Sequence, residues 1–104
     1  MLPISLLQSQ LAHNKKRINE LQSLVQEYLY DIKSVNEQIK PHVGDVLALQ
    51  YLDNLVYEKM MYIKDLQKTR KQLKQLAVLQ KSIKQAIHWR VAQDSYLLHL
   101  SLKD

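Results

Sequence analysis

Four histidines are the side chains in this sequence best suited to binding a metal ion, but their spacing does not favour a site. His13, His42, His88 and His99 form neither a His-x-x-x-His pair nor a His-Glu-x-x-His motif, the patterns that bring two imidazoles onto one helix face. The chain has no cysteine, which removes thiolate zinc sites, disulfides and cysteine nucleophiles. We therefore predict no metal ion and no cofactor.

Hydrolysis and phosphoryl transfer are not favoured either. Serine, histidine and aspartate residues occur, but a catalytic triad needs a cleft that excludes water. The chain has 1 glycine in 104 residues, too few for a glycine-rich phosphate loop. Sheet proteins also need turns, and about 7% glycine is usual in globular domains. The composition predicts an all-α protein that is not an enzyme.

A basic window is the strongest remaining chemical signal. The chain carries 15 lysine and arginine residues against 10 aspartate and glutamate residues, a formal net charge of +5. No acidic residue lies between Asp65 and Asp94. Such a window is typical of a solvated helix face, or of a surface that meets an acidic protein, a nucleic acid or a membrane. Its basic residues are Lys68, Arg70, Lys71, Lys74, Lys81, Lys84 and Arg90.

Nucleic-acid binding and membrane insertion are the less favoured uses of this charge. The familiar helix-turn-helix and zinc-finger patterns do not occur, and no stretch reaches the ~18 apolar residues of a membrane span. Residues 1–14 lack the basic start and the cleavage motif of a targeting segment. We predict a protein-binding protein with no nucleic-acid partner and no direct membrane insertion.

The first half of the chain has a regular heptad period. Apolar residues recur at alternating spacings of three and four from Ile4 to Ile39, which predicts a coiled-coil seam. Asn14 is the polar exception: either it fixes register, as a buried Asn in a seam often does, or it is simply tolerated near a frayed helix end. The seam positions are Ile4, Leu7, Leu11, Asn14, Ile18, Leu21, Val25, Tyr28, Ile32, Val35 and Ile39.

A single break follows this helix. Pro41 disfavours helical geometry at the preceding residue, and Gly44 takes a positive φ freely. Asp45 is a suitable N-cap for a second helix. The sequence therefore predicts a helix over about 3–40, a turn over 41–45 and a second helix over about 45–102.

The second helix has a looser heptad pattern. Lys59, Arg70 and Gln80 stand at expected seam positions. The apolar seam residues are predicted to be Leu49, Leu52, Val56, Ile63, Leu66, Leu73, Leu76, Ile83 and Ile87. Two helices joined by a short turn pair antiparallel. We predict one helical hairpin over residues 1–104: an all-α, antiparallel two-helix coiled coil with a longer, overhanging second helix.

The overhang predicts a partner. Folding about residues 42–43 sets residue 4 opposite roughly residue 81, so residues 82–104 extend beyond the first helix. A lone helix is marginal in water because helix stability comes mostly from packing. The overhang should therefore be buried by a partner or frayed in the free protein, and self-association of the exposed arm is the alternative. Its apolar residues are Ile83, Ile87, Trp89, Val91, Tyr96, Leu97, Leu98, Leu100 and Leu102.

An apolar, aromatic zone follows the turn. A two-helix hairpin buries one stripe of each helix, so part of this zone should remain exposed. Two interpretations stay open: a third helix or a dimer covers it, or it is a recognition surface, for which Tyr and Met are favoured. The zone includes Tyr51, Leu52, Leu55, Tyr57, Met60, Met61 and Tyr62.

These features together resemble the FliJ/YscO-type stalk proteins of flagellar and virulence type III secretion systems. The likeness lies in the short, cysteine-free hairpin rich in Gln, Lys and Leu. It also lies in the stretch from Gly44 through Tyr57, Met61 and Ile63. The segment Ile87-His88-Trp89-Arg90 late in the second helix adds a Trp followed by a basic residue.

The resemblance implies a stalk that links a hexameric secretion ATPase to the export gate in the membrane, with secretion chaperones as further partners. It implies a cytoplasmic protein, peripheral at the inner membrane through the secretion apparatus. The ATPase end would be Ile4, Leu7, Leu11, Lys81, Lys84, Ile87, Trp89, Arg90 and Leu97. The tip facing the gate would be Val46, Tyr51, Leu52, Leu55 and Tyr57. The alternative function is a generic structural coiled-coil subunit of a scaffold or tethering complex.

Overall fold

A computed structural model describes residues 3–103 of the chain, and side chains over residues 3–102. Helix α1 spans Ile4–Ile39, and helix α2 spans Leu49–Lys103. Two short 3-10 turns, Lys40–His42 and Val46–Ala48, connect them. No strand occurs in this described range. The predicted fold class is confirmed: an all-α hairpin of two antiparallel helices, the second of which is longer.

The turn is built by the residues that the sequence indicated. Pro41 lies in the first 3-10 turn. Gly44 has a φ of +84°, and a Cβ added to it would meet no atom within 4 Å. Asp45 caps the second 3-10 turn, because its Oδ1 accepts a hydrogen bond from the backbone N–H of Leu47 at 3.0 Å. The expected N-cap is confirmed, but α2 begins four residues later, at Leu49, because a 3-10 turn intervenes.

The hairpin divides into two compact units. We call residues 20–73, which contain the turn, the turn unit, and residues 1–19 together with 74–104 the terminal unit. Each unit holds a segment of α1 and a segment of α2. The two are described separately below because they differ in burial and in charge.

The turn unit contains most of the buried side chains. The α1 segment buries Leu21, Val25 and Val35, and the α2 segment buries Leu55, Leu66 and Thr69. The hydroxyl of Thr69 donates to the carbonyl of Asp65 at 2.8 Å, which satisfies the polar group inside the seam.

The terminal unit has a smaller core. Leu7, Asn14 and Ile83 are its buried residues among those described. Further seam residues are half-buried: Ile4, Leu11, Ile18, Leu76, Gln80 and Ile87. In both units every predicted α1 seam position is buried or half-buried, so the heptad assignment of α1 is confirmed.

The α2 seam differs in part from the predicted one. One row of buried and half-buried residues follows the same alternation of three and four as α1, at Leu52, Leu55, Lys59, Tyr62, Leu66, Thr69, Leu73, Leu76, Gln80, Ile83, Ile87 and Arg90. Ile63, which was also predicted for the seam, is half-buried beside this row. Leu49 and Val56 were wrongly assigned to the seam, since they are 56% and 45% exposed. Thr69, not Arg70, takes the seam position. The prediction was wrong here because polar residues at seam positions interrupt the apolar period.

Candidate partner-binding surfaces

A hydrogen bond from Asn14 defines the helix register in the terminal unit. Asn14 is 4% exposed, and its Nδ2 donates to the backbone carbonyl of Leu76 at 3.1 Å. The amide therefore has a specific partner on the facing helix, as expected of a seam Asn that fixes register.

This register corrects the predicted overhang. With Asn14 facing Leu76, residue 4 lies opposite about residue 86, not 81, in an antiparallel pair of equal rise. Ile83, which was predicted to be uncovered, is 7% exposed, and Ile87 is half-buried. The difference arises because the connection between the helices takes up residues 40–48, so the chain reverses nearer residue 45.

The overhang itself is present, but shorter than predicted. Every residue from 91 to 102 is exposed. Trp89 is 72% exposed, and Leu102 is 79% exposed. The other exposed large apolar residues of this segment are Val91, Tyr96, Leu97, Leu98 and Leu100. Large apolar side chains exposed together in one segment are typical of an interaction site.

The face of α2 that pairs with α1 turns polar where the pairing ends. Arg90 is half-buried, and its Nε lies 3.7 Å from Oδ1 of Asp94 one turn later. A partly exposed pair of this kind contributes little stability. Its significance is positional, because it places charges on the row that continues from Ile83 and Ile87.

All nine residues that were predicted for the ATPase end lie in the terminal unit. Those of α1 belong largely to the seam: Leu7 is buried, and Ile4 and Leu11 are half-buried. Those of α2 present more surface, since Lys81, Lys84, Trp89 and Leu97 are exposed while Ile87 and Arg90 are half-buried.

The five residues predicted for the tip all lie in the turn unit. Val46 is 74% exposed and Tyr57 is 67% exposed. Tyr51 is also exposed, and its ring meets His42 edge-on with 5.3 Å between centroids. Leu52 is half-buried, and Leu55, at 5% exposure, belongs to the core and offers almost no side-chain surface.

Sequence reasoning missed one prominent tip residue. Leu47 is 98% exposed, because it lies in the 3-10 turn capped by Asp45. Its position three residues after the only glycine, and so close to the predicted turn, was the signal that could have identified it. An apolar side chain with so little protein around it has no role in the hairpin's own core.

The two units also differ in charge. The terminal unit carries eight basic and two acidic residues, a net charge of +6, whereas the turn unit carries seven basic and eight acidic residues, a net charge of −1. The fold produces this contrast by bringing Lys15, Lys16 and Arg17 of α1 into the same unit as Lys74, Lys81 and Lys84 of α2. An uneven charge of this size favours acidic partners at the terminal unit.

One titratable group in the turn unit is perturbed. The hydroxyl of Tyr62 donates to Oε1 of Glu58 at 2.9 Å. This hydrogen bond raises the pKa of Tyr62 above its ordinary value of 10.0, and desolvation and the charges of Glu58 and Asp31 act in the same direction. The hydrogen bond joins two residues one turn apart on α2.

Neither metal-ligand clusters nor spanning helices appear in the described range. No three His, Asp or Glu side chains between residues 3 and 103 are grouped closely enough to hold a metal ion. Over the same residues, neither helix has the apolar stretch that crossing a membrane requires.

Comparisons with known protein families, with curated proteins and with solved structures gave no significant match. The resemblance to FliJ/YscO-type stalk proteins therefore stays a prediction. The observations that bear on function are the antiparallel hairpin, the basic terminal unit with its exposed apolar helix, and the exposed apolar residues at the turn.

Proposed function

We propose that this protein is a non-enzymatic coiled-coil adaptor whose terminal unit binds an acidic partner protein. One observation carries the proposal: the same unit combines a net charge of +6 with a helix whose residues 91–102 are exposed. Apolar surface gives affinity on association, and complementary charge speeds and orients the encounter.

Burial by a partner accounts for the long second helix. Helices gain most of their stability from packing one face, yet α1 covers α2 only as far as Ile87 and Arg90. Trp89, on another side of the helix, and Tyr96 and Leu97 farther along it are 60–72% exposed. Trp and Tyr are enriched among the residues that dominate interface energies, so a partner that covers them would stabilise this arm.

The turn unit offers a second surface, which is why we favour an adaptor over a single-partner protein. Val46, Leu47 and Tyr57 are 67–98% exposed and belong to a unit with a net charge of −1. A ligand suited to this surface differs in charge from one suited to the terminal unit. Two chemically distinct surfaces on one hairpin favour two different partners.

The specific form that we propose is the stalk of a type III secretion system. The terminal unit would bind the hexameric secretion ATPase and the turn the export-gate membrane protein, with secretion chaperones as further partners. The hairpin fold and the basic terminal unit support this proposal, because a basic stalk suits an acidic ring lining. The protein would then act in protein transport, in the cytoplasm at the inner membrane.

Site-specific photo-cross-linking in the native cells tests the adaptor function. A photoreactive amino acid would replace Trp89 in one strain and Tyr57 in another, with Gln26, an exposed residue of α1, as the control position. We expect position 89 to capture a hexameric ATPase and position 57 a membrane protein. One shared partner at all three positions would favour a structural scaffold subunit and contradict the adaptor.

The alanine variant of Trp89 supplies the energetic test. We expect Trp89→Ala to weaken binding to the cross-linked partner by about 2 kcal/mol, roughly thirtyfold. Melting of the free protein should hardly change, because the ring is 72% exposed. Tyr57→Ala, at 67% exposure in the other unit, is the matched control and should leave this affinity unchanged. A large loss of stability with binding intact would place Trp89 in a core instead.

A further inference from the structure

An uncharged stripe runs along α2 on the side that faces away from α1. We call it the outer stripe and define it as Val78, Ser82, Gln85, Trp89, Tyr96 and Leu100. All six residues are exposed, and Val78, Trp89 and Tyr96 are 62–72% exposed. The hydroxyl of Ser82 donates to the carbonyl of Val78 at 3.2 Å, so its polarity is partly satisfied within the helix.

Helix geometry places this stripe opposite the seam. At about 100° per residue, Trp89 and Tyr96 lie roughly 200° around α2 from the seam residue Leu76. The burial pattern agrees, since Ile83 is 7% exposed while Val78 is 68% exposed. The stripe is therefore a separate surface and not an extension of the hairpin's own core.

Beyond Ile87, the side of α2 that faces α1 presents charged residues beside the apolar Leu97 and Leu98. Its row continues through the pair Arg90 and Asp94, whose Nε and Oδ1 atoms are 3.7 Å apart. A helix that prolonged the path of α1 would have to desolvate these charges, which is costly. The outer stripe instead becomes most apolar in this part of α2, at Trp89, Tyr96 and Leu100.

Charge decides which kind of helix fits the stripe. The terminal unit carries a net charge of +6, and the exposed Lys74 and Lys81 flank the stripe on one side. A second copy of this chain would place +6 against +6, and like charges across an interface are unfavourable. A helix with carboxylates beside its apolar row would instead pair with these lysines.

We propose that the outer stripe is the docking site for an acidic amphipathic helix of a different protein, packed alongside α2 as a third helix. This proposal rests on the adaptor function and names the chemistry of its partner. The stripe spans residues 78–100, so the docked helix would be about 33 Å long at 1.5 Å per residue. Its apolar row would contact Trp89 and Tyr96, as in helix-in-groove recognition.

Two synthetic peptides provide the probe. Each has 24 residues, a leucine row at spacings of three and four, and no tryptophan, and the flanking positions are glutamate in one and lysine in the other. Trp89 is the single Trp of the chain, so its fluorescence reports contact with the stripe directly. We expect the glutamate peptide to bind the full chain at least tenfold more tightly than the lysine peptide and to shift Trp89 emission to the blue.

A matched pair of variants locates the site. Tyr96 and Leu98 are both 62% exposed, but they lie about 160° apart on the helix, with Leu98 on the side of α1. Tyr96→Glu should weaken binding of the glutamate peptide at least tenfold, whereas Leu98→Glu should change it less than twofold. Melting of the free protein should be the same for both variants, because neither residue is in the buried seam.

Three results would overturn the docking site: equal affinity for the two peptides, equal losses in the two variants, or a dimer of the chain that Tyr96→Glu dissolves. These outcomes are separable from failure of the adaptor function. If position 89 still cross-links a protein in cells, only the acidic-helix assignment fails. If position 89 captures nothing while the glutamate peptide binds, the docking site stands and the adaptor role fails.

Discussion

The turn unit and the terminal unit are built on the same heptad period but differ in the number of buried residues and in net charge. The turn unit holds six of the nine buried residues of the described chain, and the terminal unit holds three, one of which is Asn14. The net charges are −1 and +6. The turn unit thus has the larger core of its own, and the terminal unit has the more unusual surface.

This contrast separates what maintains the hairpin from what the hairpin presents. Apolar burial is the dominant stabilising term in folding, so the turn unit should contribute most of the stability. Exposed Trp89 and Tyr96 add little to the free protein but are suited to an interface. Substitutions in the two units should therefore affect stability and binding to different degrees.

The largest expected effect is in the turn unit, from Val25→Asp. Val25 is 8% exposed in the α1 seam, and an unpaired carboxylate there would cost several kcal/mol. That is comparable to the whole stability of a small hairpin. We therefore expect Val25→Asp to lose the helical circular dichroism signal at about 25 °C. The neighbouring, exposed Gln26→Asp should melt like the native protein, and an unchanged midpoint for Val25→Asp would refute the seam.

The next effect is in the terminal unit and has the opposite sign. Asn14→Leu replaces a buried amide, 4% exposed, with an apolar side chain, and should stabilise the fold by roughly 1–2 kcal/mol. A seam Asn favours one register at a cost in stability, so we also expect additional oligomeric species in sedimentation. A lower melting midpoint with a single species would show that the hydrogen bond to Leu76 stabilises more than the leucine would.

A smaller effect is expected at the turn. Gly44 has a φ of +84°, and a Cβ at this position would meet nothing within 4 Å. Gly44→Ala therefore tests backbone strain alone, which costs about 1 kcal/mol for a left-handed residue. Urea denaturation should show this loss, and Gly44→Asn should show less, because Asn tolerates this region. Equal stability of all three proteins would contradict the turn geometry.

The smallest effect concerns alkaline pH in the turn unit. The pKa of Tyr62 is raised in the folded state, mainly by its hydrogen bond to Glu58. The stabilisation is therefore complete below about pH 10, the ordinary pKa of the group, and is lost as the pH rises through the raised pKa. The melting temperature of the native protein should fall over this range. Tyr62→Phe should remove the part of the fall that comes from loss of the hydrogen bond. If the melting temperatures of the two proteins fell in parallel with pH, the hydrogen bond between Tyr62 and Glu58 would be contradicted.

The α1 seam could be predicted in full because its period is not interrupted. The α2 seam could be predicted only in part, since Lys59, Thr69 and Gln80 occupy seam positions where apolar residues are expected. Thr69 is accommodated because its hydroxyl bonds to the carbonyl of Asp65 within the same helix. A local hydrogen bond of this kind leaves no periodic signal in the sequence.

The candidate surfaces were less predictable than the fold. The overhang followed from the unequal helix lengths, but its start was misplaced because the second 3-10 turn, Val46–Ala48, takes up residues that the sequence assigned to α2. The net charge of +6 depends on residues 1–19 and 74–104 belonging to one unit. The charges of residues so distant in the sequence can be added together only when the position of the chain reversal is known.

Hydrogen exchange on the free monomer, measured residue by residue, tests the contrast between the units most directly. Backbone amides of the turn unit between residues 21–35 and 55–69 should be protected by roughly the global stability. Amides of residues 91–102, which are exposed throughout, should exchange at close to the rate of an unprotected chain. Equal protection of residues 91–102 and 55–69 in the monomer would show that the second helix needs no partner, and would contradict the proposed division between a stabilising unit and a binding unit.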